Sequence, residues 1–310
     1  NWSGRGQHVE YAVSERDDIP LQKELTLGRT RTALVESVRC RRVRIVRKTM
    51  RCTKWTRLKR EDVVREVQHL YRVQHSHIVR LVGTYAIGSD VAILTYPCAE
   101  WNLEDFMRTA PIAEDVEARS KSLLQFFTCL SKVLDFMHSF PLKHMDIKPQ
   151  NLLVRDIRHS SINESDPFKI YFTDFGISRS YPSVEECETE TPISFTRAYA
   201  AMEVVLQESR GLPADIFSLG CVYAEMIATI LDCSNKACLD PTQLSHREML
   251  ESTRRTTELG VRPYHSAIEE VRQWLAGLSI VEQPELKAVA GWTQQMLDPI
   301  PEKRPTARQV

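Results

Sequence analysis

From Leu21 onward apolar and polar residues alternate in three runs, LQKELTLGR, ALVESVRC and RVRIVRKTM, separated by short polar turns. A period of two puts alternate side chains on opposite faces, so these runs predict an antiparallel meander of strands. The period then lengthens. In REDVVREVQHLYRV apolar residues recur at Val63, Val64, Val67, Leu70 and Tyr71, the spacing of an amphipathic helix, and HIVRLVGTYA and VAILTYP return to strands. Past Pro97 the pattern is mainly helical: SLLQFFTCLSKVLDFMHSF carries a stripe through Leu124, Phe127, Leu130, Leu134 and Met137. Short strands are expected around NLLV and KIYFTDF, joined by a polar loop, RDIRHSSINESDP. Strands first and helices later predict an α+β chain in two lobes. The expected parts are a polar, aperiodic tail at 1–19, an N-terminal lobe over 20–96 with a small antiparallel sheet and one helix, and a larger, mainly helical C-terminal lobe over 97–310. A hinge is expected near Tyr96 to Cys98, with a ligand cleft between the lobes.

Composition changes this picture little. A chain of 310 residues, 42% of them hydrophobic, fills one large core or two medium ones. Forty-one Lys and Arg balance 41 Asp and Glu, so no global charge draws the chain to nucleic acid or to a membrane surface, and neither is expected as a partner. Charge is nevertheless uneven: basic residues crowd the stretch from Arg29 to Arg60, and residues 184–190 are mainly acidic. The expectation is a solvated strand edge facing an acidic loop. Eight cysteines with no C-x-x-C pair suggest neither a disulfide framework nor a zinc site, and reduced thiols fit the cytoplasm, or the nucleus. The most apolar stretch, Ile216 to Leu231, carries Ser218 and Glu225 and is too short to span a bilayer, so it reads as a buried core helix. The chain has no initiating Met and stops at Val310 just after a helix-start pair, Pro305-Thr306, so an excerpt of a longer protein, truncated at the end of its second lobe, is expected.

Chemistry enters at Glu66. It lies three residues after Val63 and four before Leu70, on the apolar face of its helix, where an unpaired carboxylate is costly. Lys48 is the expected partner, because in RIVRKTM it shares a strand face with Val46 and Met50. Further on, KHMDIKPQNLL packs His144, Asp146, Lys148 and Asn151 into one loop, and TDFG places Asp174 after a short strand. Phosphoryl transfer needs a carboxylate to orient the acceptor and oxygen ligands for a hard cation, and Asp146, Asn151 and Asp174 supply both.

HMDIKPQN, DFG, TRAYAAMEV, DIFSLGCVYAEM and KRPTA, in that order, resemble the catalytic core of eukaryotic protein kinases from about Leu21 to Val310. The resemblance implies the two-lobed protein-kinase-like fold and transfer of the γ-phosphate of ATP, with Mg²⁺, to a protein. By position, Asp146 would orient the substrate hydroxyl, Lys148 would steady the γ-phosphate, and Asn151 and Asp174 would hold Mg²⁺. Lys48 would contact the ATP α- and β-phosphates with Glu66 fixing its direction, and Gly28 would belong to the loop over the phosphates. Val35, Val46 and Leu153 would sandwich adenine, the backbone from Thr95 through Tyr96 to Cys98 would hydrogen-bond it, and Thr95 would guard the back pocket. Lys148 two residues after Asp146, and Thr196 three before Tyr199, resemble the serine/threonine-directed members. Glu203 with Arg304, and Asp215, match residues that brace the larger lobe.

Four features depart from the family pattern. The loop G-x-G-x-x-G-x-V reads GRTRTALV, with Thr30 and Ala33 for the later glycines, so each Cβ limits the approach of backbone N–H groups to phosphate and weak ATP binding is expected. Met145 replaces an arginine that pairs with phosphate on the activation loop, so activity is expected not to depend on phosphate at Thr189, Thr191 or Ser194. Met202 stands where proline is usual, and the loop between Leu153 and Asp174 is long. These departures keep a second reading in play, a pseudokinase acting as scaffold or allosteric module. A third, a small-molecule phosphotransferase, is disfavoured by Phe175-Gly176 and the block from Thr196 to Glu203, which resemble parts that hold a peptide.

Overall fold

The computed structural model describes residues 1–29, 33–53, 59–158, 166–175, 179–180, 196–206, 211–234, 244–256, 260–278 and 284–310. Thr30, Thr189, Thr191, Ser194, Gly176, the acidic run 184–190 and most of the long loop before Asp174 lie outside them. The chain divides into two units, one comprising Asn1–Glu100 with Thr173–Gly176, the other Trp101–Phe172 with Ile177–Val310.

The first unit is built on six strands: β1 (His8–Tyr11), β2 (Gln22–Arg29), β3 (Ala33–Cys40), β4 (Val43–Arg51), β5 (Arg80–Ile87) and β6 (Asp90–Tyr96), with one helix, α1 (Arg60–Arg72). Their order across the sheet is β1-β5-β6-β4-β3-β2. The meander β2-β3-β4 is antiparallel, as its alternation predicts.

The expectation of a tail is wrong for residues 1–19. Residues 8–11 form β1, parallel to β5 with His8 opposite Thr84 and Tyr11 opposite Ile87, and a 3-10 turn follows over Val13–Asp18. Two aromatic anchors hold this segment: Trp2 and Tyr11 are buried in a cluster with Val38, Ile45, Tyr85 and Ile87. The Trp2 indole N–H donates to Gln7 O at 2.9 Å. Two anchors in nineteen residues leave no period to read. Gly83 is the site of close approach, since a Cβ there would lie 2.3 Å from Gln7 O and from Trp2 Nε1. The helix α1 also corrects the stripe read from sequence: Val63, Glu66, His69 and Leu70 are buried, while Val64 and Tyr71 are exposed.

Nor is the basic stretch simply a solvated edge. Arg39 and Arg44 both bind Glu24 of β2, Arg47 binds the buried Glu36 at 2.8 Å, and Arg51 binds Asp90 at 3.0 Å. Much of the local charge is thus cancelled across neighbouring strands.

In the second unit, β7 (Trp101–Asn102), α2 (Leu103–Thr109) and α3 (Val116–Ser139) lead to β8 (Leu142–Lys143). Then β9 (Leu152–Asp156) and β10 (Phe168–Phe172) pair as an antiparallel ribbon, with β7 on the far side of β9. The short β11 (Arg179–Ser180) pairs with β8. Helices α4 (Met202–Val205), α5 (Pro213–Ser234) and α6 (His246–Arg254) follow. After the short pair β12 (Arg255–Thr256) and β13 (Gly260–Val261) come α7 (Ile268–Gly277) and α8 (Pro284–Met296). The buried stripe of α3 runs through Leu123, Phe126, Phe127, Leu130, Leu134 and Met137, and Leu124 lies beside it rather than on it. Helix α5 is long and apolar enough to cross a membrane, but 89% of its apolar window is buried within the protein, the environment of a core helix.

Candidate functional site

In the first unit, strand alternation gathers Gly28, Val35, Val46, Lys48 and Thr95 on one face of the sheet. Gly28 stands opposite Val35, Val35 opposite Lys48, and Val46 opposite Thr95. Tyr96 points the other way and packs against the cluster around Trp2, which leaves its backbone, not its ring, on the side of Thr95. Cys98 follows β6 and is half-buried.

Helix α1 brings Glu66, 5% exposed, to this face, and Lys48 Nζ donates to Glu66 Oε1 at 2.9 Å. The same ammonium donates to Asp174 Oδ1 at 2.7 Å. Burial alone would lower the Lys48 pKa, but the two carboxylates outweigh it and hold the group above its ordinary value, firmly protonated. Burial pushes the Glu66 carboxyl up, opposed by Lys48 and reinforced by Asp174. A cation shared by two carboxylates leaves anionic capacity over, and the Asp174 side chain is 42% exposed. Such an oxygen set suits a hard divalent cation. The backbone at Asp174 is left-handed, φ 62°, a conformation that costs a non-glycine residue about 1–3 kcal/mol.

In the second unit, the loop after β8 is fixed from beneath by α5. The buried Asp215 carboxylate accepts the backbone N–H groups of His144 at 2.7 Å and Met145 at 2.8 Å, and the His138 ring lies 3.4 Å away. Burial pushes this carboxyl up, yet His138, His144 and the Met145 N–H prevail and keep it below the ordinary aspartate value. Met145 itself is 9% exposed with φ 69°, so this loop also holds left-handed backbone.

On that support Asp146 is held by one oxygen. Lys148 Nζ reaches Asp146 Oδ2 at 2.6 Å, and Asn151 Nδ2 donates to the same oxygen at 2.8 Å and to the Asp146 carbonyl at 2.9 Å. Oδ1 is buried with no hydrogen-bond partner among the described residues. Lys148 also reaches Thr196 Oγ1 at 2.6 Å, tying the loop to the block that begins there. Leu153 sits on β9 between the fully buried Leu152 and Val154 and is itself half-exposed, opposite Tyr171. A carboxylate oriented through one oxygen, with the other lacking a hydrogen-bond partner among the described residues, keeps a lone pair able to accept a proton from a hydroxyl.

The block from Thr196 to Glu203 is anchored throughout. Tyr199 and Tyr264 both donate to Glu225 Oε1 at 2.9 Å, the Ser218 hydroxyl donates to Tyr199 O at 3.0 Å, and Tyr264 N donates to Ala198 O at 3.0 Å. Glu203 meets Arg304 through two bonds of 2.6 and 3.1 Å, and the guanidinium also stands over the Phe217 ring at 5.0 Å. His138 and Glu225 were not singled out for these roles from sequence. Each sits at an ordinary helical position, and its partner lies tens of residues away.

A model of the protein kinase domain matches residues 21–310. Among similar proteins, cyclin-dependent kinase 4 of Ovis aries is 30% identical over 53% of this chain and 52% of its own length. Cyclin-dependent kinase-like 1 of Caenorhabditis elegans is 28% identical over 79% of this chain and 59% of its own. The probable LRR receptor-like serine/threonine-protein kinase RPK1 of Arabidopsis thaliana is 27% identical over 58% and 30%. The chain thus spans between 30% and 59% of the length of these three relatives. With the family model spanning the chain from Leu21 to Val310, the chain belongs to the protein kinase domain family.

Proposed function

We propose that the chain is an active protein serine/threonine kinase that uses MgATP. The carrying observation is Asp146, pinned by Lys148 and Asn151 through one oxygen and without a hydrogen-bond partner among the described residues at the other. In this reading Asp146 takes or orients the proton of an acceptor hydroxyl, and Lys148, already bridging Asp146 to Thr196, steadies the transferring phosphate. Lys48, directed by Glu66, binds the α- and β-phosphates, and Asn151 and Asp174 hold Mg²⁺ through oxygen. Mg²⁺, when bound, neutralises charge on the phosphates. Gly28, Val35, Val46, Leu153, Thr95 and the backbone at Tyr96 and Cys98 form the adenine and phosphate contacts.

Serine/threonine direction is supported by Lys148 with Thr196, and a protein acceptor by the anchored block around Tyr199. The rival reading, a pseudokinase scaffold, is favoured by Met145 in place of arginine and Ala33 in place of glycine. Against it, Lys48, Glu66, Asp146, Lys148, Asn151 and Asp174 are all retained, although a fold alone has no need of them. The test is transfer of labelled phosphate from ATP to matched peptides carrying Ser, Thr or Tyr, beside small alcohols. Label should enter Ser and Thr peptides and disappear with Asp146→Asn. Label in alcohols alone, or none anywhere, overturns the proposal.

A further inference from the structure

Strands β3 and β4 have two faces, and the residues between Val35 and Lys48 on the one side alternate with Leu34, Glu36, Arg47 and Thr49 on the other. On that second face, beside the N-terminal segment, a cavity of about 460 Å³ opens between the 3-10 turn and the sheet. Its volume falls in the range of about 300–1,000 Å³ typical of ligand sites. Ile19, Leu21 and Leu34 give it apolar surface, beside Ile87. Arg16, Arg29, Arg47 and Arg51 give it cationic walls, and Glu36 and Asp90 are the only carboxylates among the described lining residues.

Both carboxylates are already engaged. Glu36 is buried and clamped by Lys23 and Arg47, each at 2.8 Å, and Asp90 binds Arg51 at 3.0 Å. Arg16 and Arg29, by contrast, are exposed and have no carboxylate partner among the described residues. The cavity therefore presents, over an apolar floor, two guanidiniums that have no carboxylate partner among the described residues. Guanidinium favours carboxylate in paired hydrogen bonds, and a half-enclosed, partly apolar site strengthens them. A polyphosphate strand would pair with the guanidiniums but would leave the apolar floor bare. An acidic peptide with an apolar residue satisfies both surfaces.

We propose that this cavity docks an extended acidic segment of a partner protein, an apolar side chain resting on Leu21 and Leu34 and its flanking carboxylates on Arg16 and Arg29. Because the cavity lies on the face of the sheet opposite Val35 and Lys48, docking leaves the residues assigned to ATP free, and the inference stands apart from the catalytic reading.

Fluorescence anisotropy of a labelled peptide of alternating glutamate and leucine, titrated with the whole chain, tests it. Saturable binding is expected, weakened at least about tenfold in the double variant Arg16→Glu/Arg29→Glu and by added salt, and absent for the lysine-leucine counterpart. Both arginines are exposed, so an unchanged melting temperature should confirm that the double variant is folded. Leu34→Ser, at the floor, should weaken the same peptide without changing its salt dependence. No saturation up to about 1 mM peptide, or equal affinity in the double variant, overturns the proposal. So does displacement of the peptide by inorganic phosphate alone, which would make this a small-anion site. Self-association of the chain that the double variant abolishes would assign the cavity to a second copy and likewise overturn it.

Discussion

Asp215 on α5 reaches back 70 residues to accept the Met145 backbone N–H at 2.8 Å, and it holds a loop whose own backbone is left-handed there. The strain at Met145 persists because the carboxylate leaves the N–H no better partner. Asp215→Ala would strand two buried N–H groups and should lower stability by about 3 kcal/mol in urea unfolding. The pH dependence has a definite sign. The folded carboxyl lies below its ordinary value of 3.8, so its stabilisation is complete above that value and is lost as pH falls through the folded one. Asp215→Asn should therefore flatten the acid limb of the stability profile below about pH 4, and an unchanged acid limb would contradict this account.

The N-terminal strand depends on the missing side chain at Gly83. A methyl there meets the Gln7 carbonyl and the Trp2 indole at 2.3 Å, so one of them must move. Gly83→Ala should cost about 1–3 kcal/mol in the whole chain. In a variant lacking residues 1–12 the same substitution should be nearly neutral, because the obstructing atoms are gone. Equal costs in the two backgrounds would mean that Trp2 does not seat as described.

Ala33 and Thr30 stand where the family carries glycine, and each brings a Cβ to a loop that should lie close over phosphate. The native ATP KM should be higher than is usual for kinases, and Thr30→Gly/Ala33→Gly should lower it several-fold with little change in kcat. A low-micromolar native KM from steady-state assays would refute this.

Much of the first unit was legible because its signals are local. Period-two runs gave β2, β3, β4, β5 and β6, and an acid on the apolar side of a helix gave the Glu66–Lys48 pair at 2.9 Å. What escaped depends on partners far along the chain. Trp2 and Tyr11 anchor a strand that has no period of its own, and its seat is set by a glycine some eighty residues later. The set around Asp146 was legible as a motif, but the motif does not say which oxygen lacks a hydrogen-bond partner among the described residues. That follows from the reach of Lys148 and Asn151. Val64 and Tyr71 were placed on the buried stripe because apolar character alone cannot tell an exposed valine or tyrosine from a core one.

Met145 is nearly buried and carries no charge, so it has nothing to offer a phosphate on the activation loop. Alanine at Thr189, Thr191 and Ser194 together should leave turnover within about twofold of native, since no charge-assisted bond is lost. Loss of turnover with the fold intact, joined to strong activation when the native loop is phosphorylated, would contradict this.

The most direct test of the central claim is transfer of labelled γ-phosphate from ATP to a Ser/Thr peptide by the native chain and by Asp174→Ala, both shown to be folded. An active kinase should label the peptide in proportion to enzyme, and the variant should lose at least about a hundredfold in rate, the scale of removing one strong electrostatic contact in the transition state. Equal labelling by both chains, or none by native chain that still binds MgATP, would contradict it and leave the protein a scaffold.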